Sequence, residues 1–134
     1  CQIMDTPGLL PRKDDDRNLM EQLTLASMEY LDGIVLFVMD LTGGSGEKSS
    51  IFAQAAVRRE LKLRFPDLQW IDVVSKADLP MADEGIAAVP DGAIKISSET
   101  GEGLAELVAA VNAALQRNRE IKEEKETIRR SARV

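Results

Sequence analysis

The 134-residue chain contains no histidine and a single cysteine. Without imidazole, Ser-His-Asp and Cys-His nucleophilic catalysis and His-ligated metal centres are excluded. A lone Cys1 closes no internal disulfide, so an intracellular setting is the expectation. No run approaches the ~20 apolar residues of a membrane helix, and no membrane partner is expected. A phosphate-cradling loop of the form Gly, four residues, Gly, Lys, Ser/Thr is also lacking. Its nearest imitation, Gly43-Gly44-Ser45-Gly46-Glu47-Lys48-Ser49, has Glu47 between Gly46 and Lys48 and no glycine at the required spacing. It reads instead as a flexible loop capping the next helix from Ser49 or Ser50. The chain opens at Cys1 with no initiator Met and no signal peptide, which predicts a fragment whose upstream part is missing.

What is present suits one globular domain: 44% hydrophobic and 30% charged residues over a length sufficient for one core. The net charge of −6 is uneven, with residues 116–134 at +3 and residues 1–115 at −9. An acidic body holds nucleic acid poorly, so direct RNA contact is not expected from residues 1–115. The order reads strand, loop, helix, strand, helix, strand, short helix, strand, helix. Ile34–Met39, Trp70–Val74 and Ala93–Ile96 are apolar runs without period-2 alternation, as strands covered on both faces require. Gln2-Ile3-Met4 is read as the first strand. Stripes at Leu19, Leu23, Ala26 and Tyr30, at Ala53, Val57, Leu61 and Phe65, and at Leu104, Leu107, Val108, Val111 and Leu115 predict helices. Pro66 stops the second of these. The alternation predicts right-handed crossovers and an open, mostly parallel α/β sheet. Residues 1–115 form the body, and residues 116–134 a charged helical tail extending the last helix. The tail is either a solvated extension or a partner-binding helix.

Three loops follow apolar runs and carry the candidate chemistry. In Asp5-Thr6-Pro7-Gly8, a carboxylate at a strand's end can hold magnesium through water. Gly8 lets a backbone N–H approach a terminal phosphate and lets the chain pivot. An ordinary Pro-Gly turn explains the same string. In Ser75-Lys76-Ala77-Asp78, a carboxylate can accept two N–H bonds from guanine and so reject adenine, while the lysine stem lies along the base. An exposed Lys/Asp turn is the plainer account. In Ser97-Ser98-Glu99-Thr100-Gly101-Glu102-Gly103, a backbone N–H can donate to the guanine carbonyl, and the glycines permit a tight passage into a helix capped by Thr100 or a neighbour. A well-capped loop alone also fits.

Taken in order, the three loops resemble the translation-factor class of GTPases from the third nucleotide box onward. Asp5–Leu10, Asp16-Arg17-Asn18 and Val38-Met39-Asp40-Leu41-Thr42 narrow the resemblance to the nucleolar GTP-binding protein subfamily of the Obg-like group. That resemblance implies a P-loop GTPase-like three-layer sandwich, truncated of its first strands and phosphate loop. It implies GTP/GDP and Mg2+ as ligands, with Asp5 linked to magnesium, Gly8 as switch glycine, Ser75, Lys76 and Asp78 in the base box and Ser97 and Ser98 in the last box. It also implies a switch role in maturation of the preribosomal large subunit and a nucleolar or nuclear location. Ser75 stands where the family usually has Asn, and Leu9 where many GTPases carry a water-orienting Gln. Arg12, Lys13 and Arg17 lie where they can approach phosphates. The resemblance also puts the absent first strand between Gln2–Asp5 and Ile34–Asp40, so those segments would pair directly or expose edges.

The leading expectation is a GTPase in the complete protein, with this chain marginally stable and binding GTP weakly or not at all. The alternative is a degenerate, nucleotide-free G-like interaction scaffold. A flavodoxin-like or response-regulator-like domain explains the alternation but leaves the three loops to coincidence.

Overall fold

The computed structural model describes residues 2–6, 8–44 and 50–133. After a 3-10 turn at Asp14–Asp16 come α1 (Leu19–Tyr30), β1 (Ile34–Met39), α2 (Ile51–Arg64), β2 (Gln69–Val74), α3 (Asp83–Ala88), β3 (Ile94–Lys95) and α4 (Leu104–Ser131). The strands form one sheet in the order β1-β2-β3. Both pairings are parallel, with Phe37 opposite Asp72, Met39 opposite Val74 and Val74 opposite Lys95. Parallel neighbours need crossovers, which α2 and α3 supply.

Side chains alternate across a strand, so this register puts Phe37, Trp70 and Asp72 on one face. There Val57 and Leu61 of α2 are buried with Leu25 of α1, and Phe37, Phe65 and Trp70 pack against them. Phe37 and Trp70 stack with centroids 5.4 Å apart. α4 lies on the opposite face, where Arg117 Nε reaches Gln69 Oε1 at 3.4 Å. Unbroken apolar strands call for cover on both faces, and here that cover is partial: Leu36 and Val38 of β1 remain exposed. A second cluster of Met39, Leu41 and Val74 sits against Ile51, Met81, Ala88 and Val89, seating α3.

Among the described residues, buried charge is paired. Arg58 grips Asp72 with two bonds, at 2.7 and 2.8 Å, and Trp70 Nε1 adds a third at 2.8 Å. Burial pushes the Asp72 pKa up, but the bonds from Arg58 and Trp70 outweigh it, leaving the carboxyl below its ordinary value. Arg17, whose side chain is 1% exposed, binds Glu60 at 2.8 Å, Asp14 at 3.1 Å and the Leu10 carbonyl at 3.2 Å. It thereby fastens the segment after Gly8 to α1 and α2.

Three sequence expectations need correction. Gln2–Asp5 is not a strand: it is exposed, with Ile3 at 88%, and it does not pair with β1. So short a run buries too little apolar area to offset the entropy of ordering it. The outer edge of β1 consequently has no strand partner among the described residues. In α1 the helix is present but turned. Glu21, Thr24 and Leu25 are buried, whereas Leu19, Leu23 and Tyr30 face outward. The ion pair of Arg12 with Glu21 (3.1 Å) and the approach of Arg17 (3.6 Å) fix that phase. Finally, Thr100 does not cap α4. The N-cap is Gly103, which makes no side-chain cap bond, and Thr100 Oγ1 instead accepts from Glu102 N at 3.3 Å.

Elsewhere Ser50 caps α2 by accepting from Ala53 N at 3.1 Å, while Ser49 and the rest of the Gly46-Glu47-Lys48 string lie outside the described residues. α4 runs without interruption from the body into residues 116–131, most of them exposed. No helix among the described residues is long and apolar enough to cross a membrane.

Candidate functional site

The carboxyl ends of β1, β2 and β3 form one polar rim. The turn after β2 is held by the sheet on both sides. Ser75 N donates to Met39 O at 2.8 Å, Ala77 N to Ile96 O at 2.9 Å, and Leu79 N closes back on Lys76 O at 3.0 Å. Lys76 adopts φ +56°, a left-handed conformation that few side-chain-bearing residues take, so the turn stores strain at a candidate site residue. The Ser75 hydroxyl also donates to Met39 O, at 3.1 Å, tying the turn to β1.

The third loop meets the second through one side chain. Ser97 is fully buried, and its hydroxyl donates to Asp78 Oδ1 at 2.7 Å while accepting from Thr100 N at 3.1 Å. One oxygen of the exposed Asp78 is thus engaged and the carboxylate held in a fixed orientation. The loop itself closes through Ser97 N to Glu102 O at 3.0 Å and Gly101 N to Ser97 O at 2.9 Å. It can do so only because Gly103 is glycine. At φ +73° a Cβ would lie 1.9 Å from the Lys95 carbonyl oxygen. Ser98 follows on the exposed surface of this turn.

Of the expected site residues, Ser75, Lys76, Asp78, Ser97 and Ser98 are brought to this rim. Asp5 and Gly8 are not: both are exposed, and among the described residues no hydrogen bond joins either to the β2 or β3 turns. Pro7 lies outside the described residues. The described residues also contain no group of three or more Cys, Asp or Glu placed to hold a metal. A carboxylate that holds magnesium through water needs no such group.

The rim includes residues not expected from sequence. Asp40, at the end of β1, accepts from Lys76 Nζ at 2.7 Å, from Thr42 N at 3.0 Å and from the Thr42 hydroxyl at 2.6 Å. The Gln54 amide clasps the Asp40 backbone, accepting from its N–H and donating to its C=O, each at 2.8 Å. An Asp two residues before a Thr at a strand's end is the signal that could have revealed this turn.

The fold is that of a parallel α/β protein with polar turns gathered at the carboxyl edge of its sheet, the edge where ligands bind in open α/β sheets generally. The particular family follows from comparison. Residues 19–78 match the family model described as Nucleolar GTP-binding protein 1. The protein of that name from Arabidopsis thaliana is 36% identical over 78 residues, which is 58% of this chain and 11% of the relative. Those from Kluyveromyces lactis and Saccharomyces cerevisiae are 32% and 31% identical over 78 residues, again 58% of this chain and 12% of each relative. Residues 19–78 are thus similar to the nucleolar GTP-binding protein 1 family, and the chain spans 11–12% of the length of these relatives. The family match takes in α1, β1, α2, β2 and the Ser75–Asp78 turn. The Ser97 loop lies beyond it and is joined to it by the Ser97–Asp78 bond.

Proposed function

We propose that the rim is the base-recognition half of a guanine-nucleotide site. The observation that carries this is the Ser97 hydroxyl bonded to Asp78, which aims a carboxylate from one strand-end turn while a second turn stands beside it. An oriented carboxylate accepts from guanine N1–H and the N2 amino group, and adenine offers no such pair. The names of the relatives support guanine nucleotide as the ligand and a nucleolar or nuclear location. In the complete protein the activity would be GTP hydrolysis, by attack of water on the γ-phosphate, in a P-loop fold of the Obg-like group. Hydrolysis would switch the segment after Gly8 during maturation of the preribosomal large subunit. Asp5 would take the magnesium-linked position and Ser98 a backbone contact to the base. This chain, whose sequence has no phosphate loop, would bind GTP weakly or not at all.

The second reading, a nucleotide-free scaffold, draws on the separation of Asp5 and Gly8 from the other turns. Asp78→Asn decides between them. An amide presents a donor where the carboxylate accepts, so it favours xanthine, whose C2 carries an oxygen in place of guanine's amino group. Titration followed by NMR should show the variant preferring xanthosine over guanosine nucleotide. An unchanged preference removes Asp78 from the site, and no response to any nucleotide leaves the scaffold.

A further inference from the structure

We infer that Asp40 is a positioning residue for the base site, holding Lys76 as a bar across the ends of β1 and β2. The inference rests on the guanine-site reading and adds a residue that the reading does not supply. Lys76 leaves the end of β2 with its backbone strained at φ +56°, and its side chain is half exposed, yet its ammonium is fixed 2.7 Å from Asp40 Oδ2 at the end of the neighbouring strand. Its methylene stem therefore runs from one strand end to the next, on the rim that carries Asp78. A free lysine would sample many rotamers and lose that freedom on ordering against a ring.

Asp40 is itself immobilised. Its other oxygen is taken by Thr42 N and Oγ1, and both of its backbone groups are taken by Gln54. The clasp therefore transmits the position of α2, which carries Gln54, to the lysine. A carboxylate whose oxygens are divided between two partners makes a directional anchor rather than a loose surface pair.

Two measurements on the 134-residue chain test this. The first needs no nucleotide. In the wild type the two Lys76 ε-protons should resolve as separate NMR signals, as in an ordered stem, and in Asp40→Asn they should merge. Asn keeps an oxygen for Thr42 while losing the charge that Lys76 needs. The second is titration with GDP at millimolar concentration. Asp40→Asn should weaken binding about two- to fivefold, the range of a half-exposed ion pair. In a Lys76→Met background the same change should have no effect, because nothing remains to position.

Persistent ε-proton splitting in Asp40→Asn overturns the proposal whatever the ligand does. So does unchanged GDP affinity in Asp40→Asn, or an equal loss in the Lys76→Met background. If the ε-protons merge in Asp40→Asn as expected but the wild-type chain shows no GDP response at Asp78 and Ser97, the guanine reading fails, and the positioning role fails with it for that separate reason.

Discussion

Ser97→Ala removes the atom that joins two of the rim's turns and changes nothing else in size beyond a hydroxyl. Ser97 is fully buried, so its two hydrogen bonds are not shared with bulk water on the serine side. The bond to Asp78 at 2.7 Å is charge-assisted, and such bonds contribute about 1.5–3 kcal/mol. Asp78 is exposed and can recover water, which places this bond at the low end of that range. The bond from Thr100 N at 3.1 Å is neutral and adds about 0.5 kcal/mol. The total is about 2 kcal/mol, and with a urea slope near 2 kcal/mol/M for a domain of this size the unfolding midpoint falls by about 1 M. Amide exchange at Thr100 should quicken in parallel, because its acceptor is gone. GDP contacts at Asp78 should weaken as the carboxylate rotates freely. A midpoint within about 0.2 M of wild type, with Thr100 exchange unchanged, refutes the reasoning that this hydroxyl holds the turns together.

Other substitutions probe the frame behind that bond. Gly103→Ala combines the cost of a left-handed alanine, about 1–2 kcal/mol, with a Cβ placed 1.9 Å from Lys95 O, so thermal unfolding should drop by about 10 °C. Gly92→Ala shares the positive φ (+76°) but meets nothing within 4 Å, and it should cost only the first part; equal losses at the two sites would discount the close approach. The Arg58–Asp72 pair sets a pH dependence. Because the folded Asp72 pKa lies below its unfolded value, its stabilisation is present above about pH 4 and fades as pH falls through the folded pKa. Asp72→Asn should therefore cost about 2–3 kcal/mol at neutral pH, with the gap to wild type closing in acid; a gap constant across pH contradicts the assignment.

How much was legible in the sequence depended on whether a residue's fate was decided locally. β1 and β2 were legible as strands from their unbroken apolar runs, but β1 is not covered on both faces, since Leu36 and Val38 stay 38% and 57% exposed. The stripe Val57–Leu61 of α2 was legible from its four-residue spacing, although Phe52 and Leu63 of the same helix face outward. In α1 two faces compete, and the buried Arg17, paired across the fold with Glu60 and locally with Glu21, goes with burial of Leu25 in place of Leu23. Periodicity is blind to that choice. Gln2–Asp5 was misread for a related reason, since a strand exists only when a neighbour completes its ladder. At the rim, the loops containing Asp78 and Ser97 were recognisable, but the bond between them spans 19 residues and Asp40's hold on Lys76 spans 36. Such pairs become visible only when the register of three strands is known.

That register also separates the rim into a part that is built and a part that is not, and the separation has a measurable consequence. The turns bearing Asp78 and Ser97 are fastened to the sheet's own ladder, with Ala77 N on Ile96 O and Ile96 N on Val74 O, at 2.9 and 2.8 Å. Asp5 and Gly8, the residues expected at the phosphate end, have no such fastening among the described residues. Phosphates gain affinity chiefly from converging backbone amides and from cations, and the acidic body, at −9 over residues 1–115, opposes them at long range. Binding to this chain should then depend on the base and hardly at all on the phosphate chain. Guanosine, GMP, GDP and GTP should bind within about threefold of one another, with GTP if anything the weakest at low salt, since each added phosphate brings repulsion and no compensating amide. Calorimetry or NMR titration across the four, repeated at low and high salt, checks this. An affinity rising tenfold or more from guanosine to GTP would mean that a phosphate cradle exists in this chain where none of the described residues forms one.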